Sequence, residues 1–380
     1  MNLTPLLEPQ LISPQCALIV TMPARNEERD ICVTLGSLAN QTGSNTFHVI
    51  VFANNCSDST ANAVREFAVR HPHLSLSVAE GILEPPADHV GTARKALMDF
   101  AANHFLTTGK PGGIIATTDA DTRVATNWVS ETCDEMRNVD AVAGFVEIGE
   151  SERQSLPATV RELYGKENAF RQAWAELEWL LDPLPEDPYP RHCSFVAASF
   201  AVTAEMYRRA GGLPDVAALE DRFFVRALRR ADARIRFSRR VRAATSGRHD
   251  ARVEGGFGTL VKHLHGQGMS GGTFMVENPR QIADEARGRA ALRRLWHGSN
   301  ETADLSIVSE IFGLSKDRLL ELVDRSKTFG ENYETMERAA TRKRSYPLVS
   351  VGEAIDGLRA TAAELKAAAP TRIRAASGAG

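Results

Sequence analysis

Long apolar runs are missing from this 380-residue chain: no stretch approaches the length needed to span a bilayer. The opening, MNLTPLLEPQLISPQ, also lacks the basic-then-apolar pattern of a secretory signal. Cysteine is scarce. The five present (Cys16, Cys32, Cys56, Cys133, Cys193) form no CxxC pair, which argues for reduced thiols in a cytoplasm rather than a disulfide frame or zinc cluster. An excess of one charge is absent too. The formal net charge of −3 gives no global electrostatic case for binding nucleic acid or anionic lipid. No GxxxxGK[ST] occurs, which removes one common enzyme class, and no internal repeat is visible. What remains is ordinary globular composition, 43% apolar and 24% charged, enough for one large domain with an appendage or for two.

The first half alternates strand and helix patterns. Residues 17–21 (ALIVT) read as a strand buried on both faces, followed by a polar turn and by Ile31, Leu35 and Leu38 at helical spacing. A second strand, residues 47–53 (FHVIVFA), runs into a loop where Ser57 or Asp58 caps a helix with Ala61, Val64, Phe67 and Ala68 inward. A third strand is expected at 74–79. After it comes a helix burying Ala93, Leu97, Phe100 and Ala101, and then a strand at 113–118. This alternation predicts right-handed crossovers and a mostly parallel, doubly wound α/β sheet. Beyond residue 146 the rhythm changes. Residues 156–181 read as helix with Leu163, Phe170, Trp174, Leu177 and Leu181 on one face; an apolar run at 195–202, a helix at 221–230 and a strand at 234–237 follow. The region after Gly255 is glycine-rich to Gly272, then mainly helical, with a small-residue, frayed C-terminus.

In an open parallel sheet, ligands sit at the carboxyl ends of the strands. Those ends carry three polar clusters: Pro23-Ala24-Arg25-Asn26-Glu27, Asn54-Asn55 and Asp119-Ala120-Asp121. Two carboxylates one residue apart just past a buried strand suit a hard divalent cation, Mn2+ or Mg2+, which takes oxygen ligands and bridges to phosphates. Aspartate also favours turns, so an isolated DxD equally describes a solvated strand end. The stretch Gly266 to Gly271 fits GxGxxG literally, but it follows no strand; a mobile loop over a ligand or a plain connection explains it better than a dinucleotide fingerprint. His263 and His265 with His249 are a weak imitation of a zinc triad.

Five segments, in order, resemble the family 2 glycosyltransferases of the GT-A fold over about residues 17–250: ALIVTMPARNEE, VIVFANNCSDST, GTARKALMDFA, TTDADT and AGGLPDVAALEDRFFVRALRRADARIRF. The resemblance implies a GT-A (Rossmann-like) domain at about 12–250, with a donor half to 125 and an acceptor half from 126. The mainly helical extension (251–380) lies outside the resemblance, and roofing the acceptor cleft or pairing subunits are its two candidate roles. It implies transfer of a sugar from a nucleotide-diphosphate donor to an acceptor hydroxyl or amine, with inversion. Pro23, Ala24, Arg25, Asn26, Glu27, Asn54 and Asn55 would hold the nucleoside, and Arg94 would lie near the diphosphate. Asp119 would contact ribose or metal, Asp121 would be the main metal ligand, and Asp221 with Glu220 beside it would be the general base. His249 would be a further metal ligand and Arg248 a phosphate partner, a role that suits a guanidinium fork.

The sequence departs from that pattern in places. Asn54 stands where the family usually has an acid, which weakens a specific claim for a UDP-sugar, although an amide carbonyl can still accept from a base N–H. No QxxRW is present, which argues against a processive synthase. Two other classes share features. A sugar-1-phosphate nucleotidyltransferase has the sheet and the metal but an N-terminal glycine-rich loop that MPARNEE does not match. A non-catalytic nucleotide-sugar binding module would not need Asp221.

Overall fold

The computed structural model describes residues 12–43, 45–246, 262–264, 266, 273–340 and 346–368. The ALIVT run lies in β1 (Leu18–Ala24), buried along its whole length. FHVIVFA lies in β2 (Phe47–Asn54); β3 is Leu76–Gly81, two residues later than its apolar pattern predicts; and β4 is Ile114–Thr117. Leu18, Val20 and Met22 share a core with Ile31, Leu35 and Leu38 of helix α1 (Ile31–Ala39), and with Val64 and Phe67 of α2 (Thr60–Arg70). Each fully buried Val, Leu or Ile there contributes roughly 1.5–3 kcal/mol relative to exposure. The long helix α3 (Val90–Thr107) packs on β1 with Ala93, Leu97, Phe100 and Ala101 buried as the spacing predicts.

Four further strands complete an eight-stranded sheet: β5 (Thr122–Val124), β6 (Ala141–Ile148), β7 (Phe200–Thr203) and β8 (Ile235–Thr245). The order is β3-β2-β1-β4-β7-β6-β8-β5. β1 to β4, β6 and β8 run one way, while β7 and β5 run against their neighbours, so the sheet is mixed at its second half. The chain goes from β1 outward to β3, then returns through α3 to the other side of β1. That reversal opens a crevice at the carboxyl ends of β1 and β4.

One expectation needs correction here. The apolar run at 195–202 contributes a strand from Phe200, but β8 continues eight residues past Phe237, to Thr245. A register shift between Gly144 and Phe145 lets β8 absorb extra residues and go on pairing with β6. Its arginines at 240 and 242 turn outward while Val241 and Ala243 are buried, so charge masked the period of two. Helices α4 (Trp128–Glu135), α5 (Glu150–Ser155), α7 (Ala204–Arg209) and α8 (Glu220–Arg230) flank this part, with α6 (Ala158–Leu181) between α5 and β7 in the chain.

Contacts divide the described chain into two units. The first holds the sheet: residues to Ser155, then 194–228 and from 233 through β8. The second joins Leu156–Cys193 and Arg229–Asp232 to the C-terminal part. In it, α9 (Pro279–Trp296), α10 (Thr302–Phe312), α11 (Lys316–Leu322) and α12 (Phe329–Ala339) share a core of Leu292, Leu295, Val308, Phe312, Leu319 and Met336. α6 packs against α9 and α13 (Val351–Ala368), and β9 (Met275–Val276) pairs with β10 (Val349–Ser350). Because α6 has two helical neighbours, its buried residues spread beyond the expected stripe. Phe170 and Leu177 are buried as expected, Val160, Tyr164, Glu167 and Ala173 join them, and Leu163, Trp174 and Leu181 are only half-buried. Among the described residues no helix is long and apolar enough to cross a membrane.

Candidate functional site

The polar residues at the strand ends are laced together by their own hydrogen bonds. Pro23 and Ala24 belong to β1, paired with Phe52 and Ala53 and buried, so the turn expected from Pro23 begins only at Arg25. Asn26 has a positive φ of 57°, a conformation asparagine tolerates better than most residues. Its Oδ1 accepts the N–H of Ser57 at 2.8 Å, and the N–H of Glu27 donates to Thr60 Oγ1 at 2.8 Å, tying the turn after β1 to the loop after β2. Arg25 Nη1 donates to the carbonyl of Asp88 at 2.9 Å. Asp58 Oδ1 accepts from the N–H of Thr60 at 3.0 Å, but the cap of α2 is neither Ser57 nor Asp58: it falls at Ser59, whose side chain makes no capping bond.

Asn54 and Asn55 differ in their commitments. Asn55, at φ 49°, accepts from the N–H of Leu83 (3.0 Å) and donates to the carbonyl of Leu83 (2.9 Å), so both ends of its amide are engaged. Asn54 is buried at the end of β2. Its Nδ2 makes a long contact to Asn55 Oδ1 at 3.4 Å, and among the described residues its Oδ1 accepts no hydrogen bond. Of the two, Asn54 has an acceptor to spare.

The DAD turn follows β4. Its backbone is held from α1, where Thr34 Oγ1 donates to the carbonyl of Ala120 at 2.8 Å. Beneath it lies Arg94 of α3, only 2% exposed. Its guanidinium donates to Asp119 Oδ1 (2.7 Å), Thr117 Oγ1 (2.7 Å) and Glu220 Oε1 (3.2 Å). Burial opposes its charge, and Asp119 and Glu220 outweigh that opposition and keep it protonated. Asp121 accepts from Ser246 Oγ at 2.5 Å. Burial first, then the charges of Asp119 and Glu27, push its carboxyl up to about 6.

Glu220 and Asp221 open α8. The preceding Leu219 has a positive φ of 60°, and the loop before it presses on α3: a Cβ on Gly91 would come 2.1 Å from the carbonyl oxygen of Val216. Glu220 turns inward to Arg94. Asp221 instead points at the segment before β7, where Oδ2 accepts the N–H of Ala197 at 3.2 Å and Oδ1 accepts that of Arg222 at 2.7 Å. Burial, then the neighbouring Glu220, raises its pKa.

The fold thus brings Asp119, Thr117 and Glu220 to the Arg94 guanidinium, with Asp121 two residues on in the DAD turn and Asp221 next to Glu220 on α8, and with the Asn26 and Asn54 loops on the neighbouring strand ends. Sequence reasoning missed Thr117, the third partner of Arg94. It also missed Ser246, which the end of β8 brings to Asp121 across 125 residues of chain. A threonine or serine in a strand carries no spacing signal for such a role. Arg248, His249, His265 and the glycines of 267–271 lie outside the described residues, so their expected roles have no geometry here. Among the described residues no group of three or more His, Cys, Asp and Glu converges on one point.

Residues 19–177 match the model of the family described as Glycosyl transferase family 2. No curated protein matches the chain. Among solved structures, it is similar to the mannosyltransferase PcManGT of Pyrobaculum calidifontis, solved with GDP-Man and Mn2+ (16% identity, TM-score 0.46, covering 94% of this chain and 82% of that one). It is similar also to S. aureus TarS 1-349 with UDP-GlcNAc (15% identity, TM-score 0.46, 85% and 90%). A third is glucosyl-3-phosphoglycerate synthase from Mycobacterium tuberculosis with Mn2+, UDP and phosphoglyceric acid (14% identity, TM-score 0.36, 63% and 74%). By the family match and the order of its strand-end motifs, the chain is similar to the family 2 glycosyltransferases over residues 19–177.

Proposed function

We propose that this protein transfers a sugar from a nucleotide-diphosphate donor to an acceptor hydroxyl or amine, in a metal-dependent, inverting displacement. One observation carries the reading: a single buried guanidinium, Arg94, holds both Asp119 of the DAD turn and Glu220 beside Asp221. A donor-side carboxylate pair and a candidate base are thereby held in one frame, as a displacement at a bound donor requires.

The donor set fits a hard divalent cation. Asp119 and Asp121 offer carboxylate oxygens, and the rise at Asp121, caused by burial first and by the charge of Asp119 second, marks a carboxylate that a cation would stabilise in its ionised form. Asp121 and Asp119 would hold Mn2+ or Mg2+, which when bound would offset the charge developing on the leaving diphosphate. Asn26, Asn54 and the backbone of residues 23–27 would seat the nucleoside, Asn54 through its spare carbonyl oxygen.

Asp221 is the general base. Its raised pKa makes it a better proton acceptor than an ordinary aspartate. As it takes the acceptor's proton, the acceptor oxygen or nitrogen bonds to the anomeric carbon. The carbon–oxygen bond to the diphosphate breaks, its electron pair leaving with the diphosphate. One displacement inverts the centre. Glu220 and Arg94 are positioning residues in this scheme.

Thermal shift with UDP, GDP, dTDP, CDP and ADP, each with and without manganese, tests the donor site. A metal-dependent rise for one diphosphate, lost in Asp121→Ala, supports the reading and names the base. No shift with any of them in either condition overturns it.

A further inference from the structure

We propose that Trp128 is a positioning residue for Asp221: its buried indole N–H pins the turn before β7, and the N–H of Ala197 in that turn holds the Asp221 carboxylate. This role rests on the reading of Asp221 as the base and concerns how that base is held in place.

Trp128 opens α4, a short way along the chain from the DAD turn. Its side chain is fully buried, in the core that also holds Val20 of β1 and Leu35 of α1. An indole N–H has one hydrogen to give, and leaving it without an acceptor in such a place is costly. Its acceptor is Ser199 Oγ at 2.9 Å, itself fully buried. Gly144 of β6 lies so close that a Cβ there would overlap the same hydroxyl. The backbone of Ser199 is fixed as firmly. Its carbonyl accepts the N–H of Gly144 at 2.8 Å, and its own N–H donates to the carbonyl of Val196 at 3.2 Å, which closes residues 196–199 into a turn.

Ala197 lies inside that turn, and its N–H donates to Asp221 Oδ2 at 3.2 Å. The flanking aromatic rings set how far the turn stands from α8: Phe200 and Phe195 have their centroids 5.6 and 6.5 Å from that of Phe224. Ring packing does not fix where a backbone N–H points. The bond from Trp128 does, because a hydrogen bond is directional. Through Ala197 the turn acts on both the place of Asp221 Oδ2 and its hold on a proton. Burial and Glu220 of the same helix raise the Asp221 pKa; the N–H groups of Arg222 and Ala197, and the charge of Arg94 on α3, oppose them. Arg94 links the DAD turn to Glu220, and Trp128 adds a second link, made through different atoms, from the stretch after that turn to Asp221.

The test is carboxyl NMR titration of the full chain labelled at aspartate Cγ, with the Asp221 resonance assigned by its loss in Asp221→Asn. In Ser199→Ala and in Trp128→Phe the turn loses its pin and the Ala197 N–H loosens, so the Asp221 midpoint should rise by about 0.5 or more above wild type. The double variant should rise no further, because both changes remove the same bond. Asp140, which is paired with Arg234, should keep its wild-type midpoint, and this separates loss of the pin from a general loosening. Trp128→Phe also shrinks a buried ring; if it does not fold, Ser199→Ala decides. An unchanged Asp221 midpoint, or a change at Asp140 as large as that at Asp221, would overturn the proposal and leave the assignment of the base untouched. Undiminished turnover in Asp221→Asn would instead overturn that assignment, and the positioning role with it, whatever the titration gives.

Discussion

Arg94 and Glu220, 126 residues apart in the chain, meet in the interior through an Nε to Oε1 contact of 3.2 Å. Both are almost fully buried, and the same guanidinium reaches Asp119 at 2.7 Å. A buried cation shared by two carboxylates is costly to break from one side, because removal of the cation leaves uncompensated charge in the interior.

Arg94→Ala should therefore lower stability by about 3–5 kcal/mol. Arg94→Lys should recover only part of this, since an ammonium cannot span Asp119, Thr117 and Glu220 as the planar fork does. Urea unfolding measures both. A loss under about 1 kcal/mol for Arg94→Ala would be that of a surface ion pair and would contradict the buried network.

Asp221→Asn should leave the fold and nucleotide-diphosphate binding intact while lowering turnover by about 10²–10⁴-fold, the range for loss of a general base. Product formation under saturating donor, set beside thermal shift with the same diphosphate, separates the two. Unchanged turnover would remove Asp221 from the chemistry.

The pH dependence of stability in the absence of metal should carry the mark of Asp121. Its folded-state pKa, about 6, lies above its ordinary value of 3.8. Between those values the folded state holds the proton more tightly than the unfolded chain, so this group's contribution falls as pH rises through that window. Asp121→Asn should thus be more stable than wild type at pH 7.5, by at most about 3 kcal/mol and less with solvent screening. The difference should shrink towards pH 4. Manganese binding should weaken in wild type as pH drops below about 6, because the proton competes for the same carboxylate.

Gly91→Ala should disturb the loop that leads into α8. The added methyl meets the carbonyl of Val216, a backbone atom that cannot rotate away. A cost of about 1–3 kcal/mol is expected, with a fall in turnover as the segment before Glu220 shifts. Melting temperature and product formation check it, and a neutral variant would mean that the loop yields freely.

The sequence by itself determined the framework of the first half. Apolar runs such as ALIVT and FHVIVFA, ending at Asn26, Asn54 and Asp119, fix which residues are strand and which stand at their carboxyl ends, because a strand buried on both faces admits few polar residues until it stops. The spacing of Ile31, Leu35 and Leu38, and of Ala93, Leu97, Phe100 and Ala101, likewise fixes which faces of α1 and α3 are buried. Only the tertiary structure decided the partners. The family resemblance places Arg94 near a diphosphate, and only the fold shows that its guanidinium, beneath the DAD turn, joins Asp119 to Glu220. Ser246 reaches Asp121 because a bulge beside Gly144 lets β8 run on to Thr245. Residues Leu156–Cys193 group with the C-terminal helices although they precede β7 in the chain. Periodicity is a property of neighbours along the chain, whereas hydrogen bonds and ion pairs across 100 residues depend on where the chain returns, and no local pattern encodes that.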